Sequence, residues 1–92
     1  MKNTLQAKNI CIGAEIARLQ DYGLLEDVLY LLNNDEQRII KAIYGLDGLV
    51  RISLEHFAQS TGMMHSEAEQ LRSKAFANFL KTAAYVWEST DY

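Results

Sequence analysis

Few side chains in this sequence belong to the types that carry catalysis or bind metal ions. The chain has two histidines, His56 and His65, and one cysteine, Cys11. A metal site needs several ligands at suitable spacing, and nothing in the sequence ties Cys11 to either histidine. No Ser-His-Asp or Cys-His arrangement stands out, and no glycine-rich phosphate loop is present. We therefore expect no catalytic residue, no metal, no cofactor and no enzymatic activity.

The charge of the chain limits its partners. The 92 residues include nine basic and twelve acidic side chains, and the net charge is −3 at pH 7. Because Lys and Arg supply most non-specific affinity for DNA, this average argues against nucleic-acid binding unless a local basic patch compensates. The acidic pairs Glu26-Asp27 and Asp35-Glu36 fall where solvation and the helix dipole explain them.

The elements that must position the polar residues are predicted to be helices. The chain has no proline, only five glycines and 49% apolar residues, which favours helices joined by short turns over a multi-stranded sheet. We predict a single all-α domain of about five helices. They cover Thr4–Leu19, Leu24–Leu32, Asn34–Tyr44, Leu54–Ser60 and a last helix that reaches Val86 or Trp87, with Ala68, Leu71, Ala75 and Phe79 as its inner stripe.

Several residues predict where these helices begin and end. Asn34 is a suitable N-cap with Gln37 in the capping-box position, and Ser53 is a suitable N-cap for the short fourth helix. Gly23 and Gly45 can take the left-handed conformation that closes a helix.

Two helices around a glycine turn predict a helix-turn-helix between Ser53 and Phe79. Ala58 is small where the second helix crosses the first. Gly62 supplies the positive φ that the turn needs, and Met63 can fill the corner between the helices.

Three blocks of this half of the chain also carry a family resemblance. DEQRIIKAIYGLDG (35–48) resembles xxERxxxLxxRYGLDG of sigma-70 region 4, SLEHFAQSTGM (53–63) is similar to its TLEEIGxxLGV, and QLRSKAF (70–76) to its QIEAKAL. The match runs without a gap over residues 34–80, about half the chain. The apolar residues Leu25, Val28, Leu29 and Leu32 fall where the family has its preceding helix. The first twenty residues match no family pattern.

The resemblance implies that the last helix enters the major groove of a minus-35 promoter element. Carried over position by position, it implies base-edge contacts and phosphate or positioning contacts. The base-edge contacts would come from His65, Ser66, Glu69 and Gln70. The phosphate or positioning contacts would come from Arg51, Ser53, Arg72 and Lys74.

The chain departs from the family where the family reads DNA. Three arginines of the family pattern are replaced by His65, Glu67 and Glu69. Arginine reads guanine, whereas a glutamate repels nearby phosphates and accepts only from bases such as cytosine. Residues 53–81 hold three basic and three acidic side chains, hence no net charge. The glutamates either form a solvated helix face or keep the domain off minus-35 DNA. Ser66 and Glu69 also form a capping box, which predicts a start of this helix two residues later than in the family.

The resemblance also implies a partner protein. Region 4 grips RNA polymerase through an apolar groove, which here would be lined by Leu25, Leu29, Ile40, Ile43, Tyr44 and Phe57. We expect RNA polymerase and/or duplex DNA as partners, or alternatively a protein-interaction module without sequence-specific DNA binding. The aromatic residues Tyr85, Trp87 and Tyr92 are expected to pack on the first helix, or else to form a homodimer surface with that helix.

The chain is predicted to comprise an N-terminal helical extension (1–22), a sigma-region-4-like domain (23–88) and a tail (89–92). A single cysteine fits a reducing compartment, and neither a signal peptide nor a membrane-spanning run is evident. We therefore expect a cytoplasmic protein with no membrane association.

Overall fold

The computed structural model describes residues 12–90, and over that range it contains five helices and no strand. The all-helical prediction is confirmed. The part of the first predicted helix that precedes Ile12 lies outside the described residues, and the helix runs two residues past Leu19. The helices are α1 (Ile12–Asp21), α2 (Leu25–Tyr30), α3 (Asn34–Tyr44), α4 (Leu54–Thr61) and α5 (His65–Ser89).

The long helix α5 is the element on which the others pack. Its 25 residues contact α2, α3 and α4, and its end reaches α1. The predicted inner stripe is buried except at Leu71, which is half-buried, and it continues beyond Phe79. Three of its buried positions are alanines, which let neighbouring helices approach closely. The buried residues of α5 are Ala68, Ala75, Phe79, Ala83 and Val86.

The turn between α1 and α2 has the geometry predicted from Gly23. This glycine has a φ of +70°, and the amide of Leu24 donates to the carbonyl of Leu19 at 2.8 Å. A second bond joins the Gly23 amide to Gln20 at 3.1 Å, which completes a Schellman motif. The turn brings Leu19 and Leu24 into one core, so residues on both sides of the predicted boundary at 22/23 pack together.

The start of α3 corrects one prediction. Asn33, not Asn34, is the N-cap, and its side chain accepts from the Glu36 amide at 2.9 Å. Glu36 in turn accepts from the Asn33 amide at 3.3 Å, so the capping box is Asn33–Glu36. Gln37 instead donates from Nε2 to the carbonyl of Leu32 at 3.0 Å. Glu36, and not Gln37, takes part in the capping box because a second hydrogen bond, from α5, holds the Glu36 carboxylate.

That second bond is a polar contact inside the core. Glu36 is the buried charged residue of the described chain, with 3% of its surface exposed, and Oε2 accepts a hydrogen bond from Nδ2 of Asn78 on α5. Both carboxylate oxygens therefore have donors, and residues 12–90 contain no buried side-chain polar atom without a partner. The contact fixes the position of α3 along the axis of α5, near the middle of that helix.

The end of α5 is held by α1. The Trp87 indole donates from Nε1 to Oε2 of Glu15 at 2.8 Å, and the Arg18 guanidinium lies 4.5 Å from the Trp87 ring centroid. Tyr22 meets the same ring edge-on at 5.1 Å. Trp87 therefore packs within its own chain, whereas Tyr85 is 62% exposed. Tyr92 lies outside the described residues.

One further property concerns membranes. Among the described helices, none is both long enough and apolar enough to span a bilayer.

Replacing Asn78 by alanine should destabilise the fold by about 1–3 kcal/mol, because the buried Glu36 carboxylate loses a donor that water cannot replace. Urea unfolding followed by circular dichroism measures the change. Ala77→Ser, at the exposed neighbouring position, is the matched control. If the two variants differ by less than about 0.5 kcal/mol, the Glu36–Asn78 contact does not stabilise the fold.

Candidate nucleic-acid interface

The corner between α4 and α5 contains the helix cap and the glycine turn predicted from the sequence. The Ser53 hydroxyl caps α4 by accepting from the His56 amide at 3.1 Å. At the other end Gly62 has a φ of +74°, and the Met63 amide donates to the carbonyl of Ala58 at 2.9 Å. Ala58 is buried. A three-residue turn, 62–64, therefore joins two helices that pack on each other.

The start of α5 overturns the prediction of a late beginning. The helix begins at His65, directly after Met64 in an extended conformation, and the Met64 amide donates to Oε1 of Glu67 at 2.9 Å. The Ser66–Glu69 capping box does not form. The Schellman turn at Gly62 leads directly into the helix. Glu67 reaches back to accept from the backbone amide of Met64, which is the half of a capping box that does not need a polar N-cap side chain.

The four residues predicted to contact base edges lie together on the first two turns of α5. All four are exposed, and three of them border a shallow groove along the helix. The groove also includes Ser73, which sequence reasoning missed although it stands seven residues after Ser66 and three after Gln70, the spacing of one helix face. The groove is lined by Ser66, Glu69, Gln70, Ser73 and Lys74.

The four residues predicted to contact phosphates are spread over three elements. Lys74 is exposed in the groove on α5, whereas Arg72 is half-buried and does not line that groove. Ser53 is exposed at the start of α4, with its hydroxyl engaged as the helix cap. Arg51 is exposed on the connection between α3 and α4. The structure thus joins Lys74 to the base-edge candidates and leaves the other three on neighbouring surfaces.

The connection that carries Arg51 is folded tightly onto α3. Gly45 closes α3 with a φ of +64°, and the Leu46 amide donates to Lys41 at 2.9 Å. The Ile52 amide donates back to Ala42 at 3.0 Å. The backbone of Arg51 passes so near Gly45 that a Cβ on the glycine would lie 3.2 Å from the Arg51 nitrogen. The missing side chain of Gly45 therefore allows this close approach, which sets the position of the Arg51 backbone against α3.

Both glutamates at the start of α5, Glu67 and Glu69, have local partners. Glu67 accepts from the Met64 amide, and Glu69 pairs with His65, whose Nε2 lies 3.1 Å from Oε2. Each contact spans one helical turn and stabilises the start of α5 locally. The acidic character of this helix is therefore accounted for, at least in part, by the way the helix begins.

The predicted polymerase groove needs a correction. Leu25, Leu29, Ile40 and Phe57 are buried core residues, with between 0% and 7% of their surface exposed. Ile43 and Tyr44 are half-buried, and the Tyr44 ring packs at a tilt against Phe76, 6.1 Å between centroids. These side chains hold α2, α3 and α4 to α5 and do not together line one open groove. Of the six, Leu25 also borders a pocket, whose other lining residues are Gln20, Gly23, Glu26, Leu46 and Asp47.

Large apolar side chains are exposed elsewhere. They lie on the α3–α4 connection, in the turn between α1 and α2, around the end of α2 and in the turn before α5. In the sequence, the glycine turn beside Leu49-Val50 is the signal that indicates the first of these places. The exposed residues are Tyr22, Tyr30, Leu31, Leu49, Val50 and Met64, in addition to Tyr85 near the end of α5.

The described residues contain no group of three or more His, Cys, Asp or Glu placed to hold a metal ion. Compared with protein families, with curated proteins and with solved structures, the chain matches none of them. The family resemblance therefore depends on the three sequence blocks alone.

Two glycine substitutions should differ in their cost. Gly62→Ala should destabilise the fold by about 1–2 kcal/mol, because alanine disfavours positive φ, but its Cβ would meet no atom within 4 Å. Gly45→Ala should cost more, because its Cβ would also lie 3.1 Å from the Leu49 carbonyl oxygen. Chemical denaturation compares the two. Equal losses of stability in the two variants would show that the α3–α4 connection can move away from Gly45 without cost.

Proposed function

We propose that this chain regulates transcription as a domain resembling region 4 of sigma-70 factors, and that it binds duplex DNA through the exposed face of α5. The observation that carries the proposal is the groove on α5. Ser66, Gln70, Ser73 and Lys74 line it, and within residues 12–90 none of these side chains makes a hydrogen bond or ion pair. In helix-turn-helix proteins the start of the second helix meets base edges with polar side chains of this kind.

One observation favours DNA over a polymerase groove as the main partner surface: the apolar residues expected to grip polymerase are mostly inside the core. The glutamates have local roles in capping and pairing at the helix start. Lys74 then supplies positive charge within the groove itself.

A second candidate is a protein-interaction module that binds RNA polymerase or another transcription protein without reading DNA. The pair Leu49-Val50 favours this candidate. The two residues are 51% and 82% exposed, and they adjoin Arg51 on the connection that is hydrogen-bonded to α3. Apolar side chains beside an arginine are typical of protein interfaces. The net charge of −3 also favours a protein partner over DNA.

Fluorescence anisotropy with labelled duplexes separates the two candidates. The chain is titrated against a minus-35-like duplex and a random duplex over a range of salt concentrations. DNA binding predicts an affinity that falls steeply with salt. Absence of binding at low salt, together with binding to purified bacterial RNA polymerase, would overturn the DNA proposal and support the second candidate.

The charge of Lys74 should be visible in the salt dependence. Lys74→Gln should weaken binding to every duplex and reduce the slope of log K against log salt by about 0.9, the value for one lost phosphate contact. Arg18→Gln is the matched control, because it also removes one positive charge. Arg18 lies on α1 beside Trp87, which is about 20 Å from Lys74 along α5. Equal effects of the two substitutions would show that general charge, and not the α5 groove, governs binding.

A further inference from the structure

The groove on α5 has a distinctive set of polar groups. It presents one carboxylate, one amide, two hydroxyls and one ammonium group, and no guanidinium. The bidentate pairing of arginine with guanine, the commonest specific contact in the major groove, is therefore not available within the groove. Any base preference must come from the other groups.

Glu69 is the group in this set that has a local partner. Its Oε2 atom lies 3.1 Å from Nε2 of His65 one turn earlier, and about half of the side chain is exposed. Oε1 has no hydrogen-bond partner among the described residues. His65 thus restrains the carboxylate through one oxygen and leaves the other available to accept a hydrogen bond.

The groove contains no second carboxylate that competes with this one. Glu67 is turned back to the Met64 amide and does not line the groove. Lys74 lies in the same groove and offsets the charge of Glu69 near DNA phosphates. The groove therefore offers a base edge a single carboxylate beside a single cation.

The chemistry of the major groove narrows the base that such an acceptor fits. Cytosine presents an amino donor, whereas adenine presents its amino donor next to the N7 acceptor. A carboxylate is an acceptor only, so the adenine N7 lone pair repels it. Guanine and thymine offer acceptors and no donor.

We propose that Glu69, positioned by His65, determines specificity by accepting a hydrogen bond from the N4 amino group of cytosine in duplex DNA. The inference deepens the proposed function and depends on it. The α5 groove then selects sites with cytosine at one position, in place of the guanines that arginine would read.

The test is selection of bound sequences from a pool of randomised duplexes, using the full chain. The expected result is a site with a recurrent cytosine, preferred about 5- to 10-fold over the other bases at that position. Glu69→Gln should shift this preference to adenine, because an amide fits the donor and acceptor of adenine. Lys74→Gln should weaken binding at all sites and leave the preference unchanged.

His65→Ala tests the positioning role, because alanine has no side-chain donor for Glu69, with His56→Ala on α4 as its control. Loss of the His65 contact should reduce the cytosine preference while circular dichroism shows the fold intact, and the control should keep the preference. An unchanged cytosine preference in Glu69→Gln would overturn the inference. Binding without any preference would also overturn it and leave the proposed function standing, whereas no binding at low salt would overturn the DNA function itself.

Discussion

The fold depends on the burial of one side of α5. Ala68, Ala75 and Ala83 leave room along this helix, and Phe79 fills the space between the elements that pack there. Because the buried side fixes the rotation of α5 about its own axis, it also decides which residues face outward. The polar groove is the opposite side of the same helix. The candidate interface is thus a geometric consequence of the core, and a change in core packing that rotated α5 would turn all the groove residues together relative to α4.

A second constraint acts along the helix axis. Apolar contacts tolerate small sliding movements, whereas the buried Glu36 carboxylate tolerates them poorly, because a shift would remove its donor on the other helix. Glu36 and Asn78 meet at one place, and this sets the position of α3 on α5. Asn78 supplies an amide donor, so the contact is a hydrogen bond and not an ion pair.

Features governed by local backbone chemistry could be predicted from the sequence. The left-handed glycines 23, 45 and 62 and the Ser53 cap follow from φ preferences and side-chain reach within a few residues. Features that need a distant partner could not. Asn33 caps α3 in place of Asn34 because Asn78, 42 residues after Glu36, holds the carboxylate. Helical periodicity placed His65, Ser66, Glu69 and Gln70 outside correctly. The family resemblance, which placed Leu25 and Phe57 in an open groove, could not show that other helices cover them.

The contact between α1 and the end of α5 gives the chain a built-in optical reporter. Trp87 is the one tryptophan of the sequence, and its ring lies between Arg18, Tyr22 and the Glu15 carboxylate. Its emission therefore reports whether α1 is docked, while far-ultraviolet circular dichroism reports the helices together. A difference between the two signals during unfolding would reveal α1 detaching as a separate step. Because the groove residues lie several turns away, a change in emission on binding would show that α5 transmits the event to its far end.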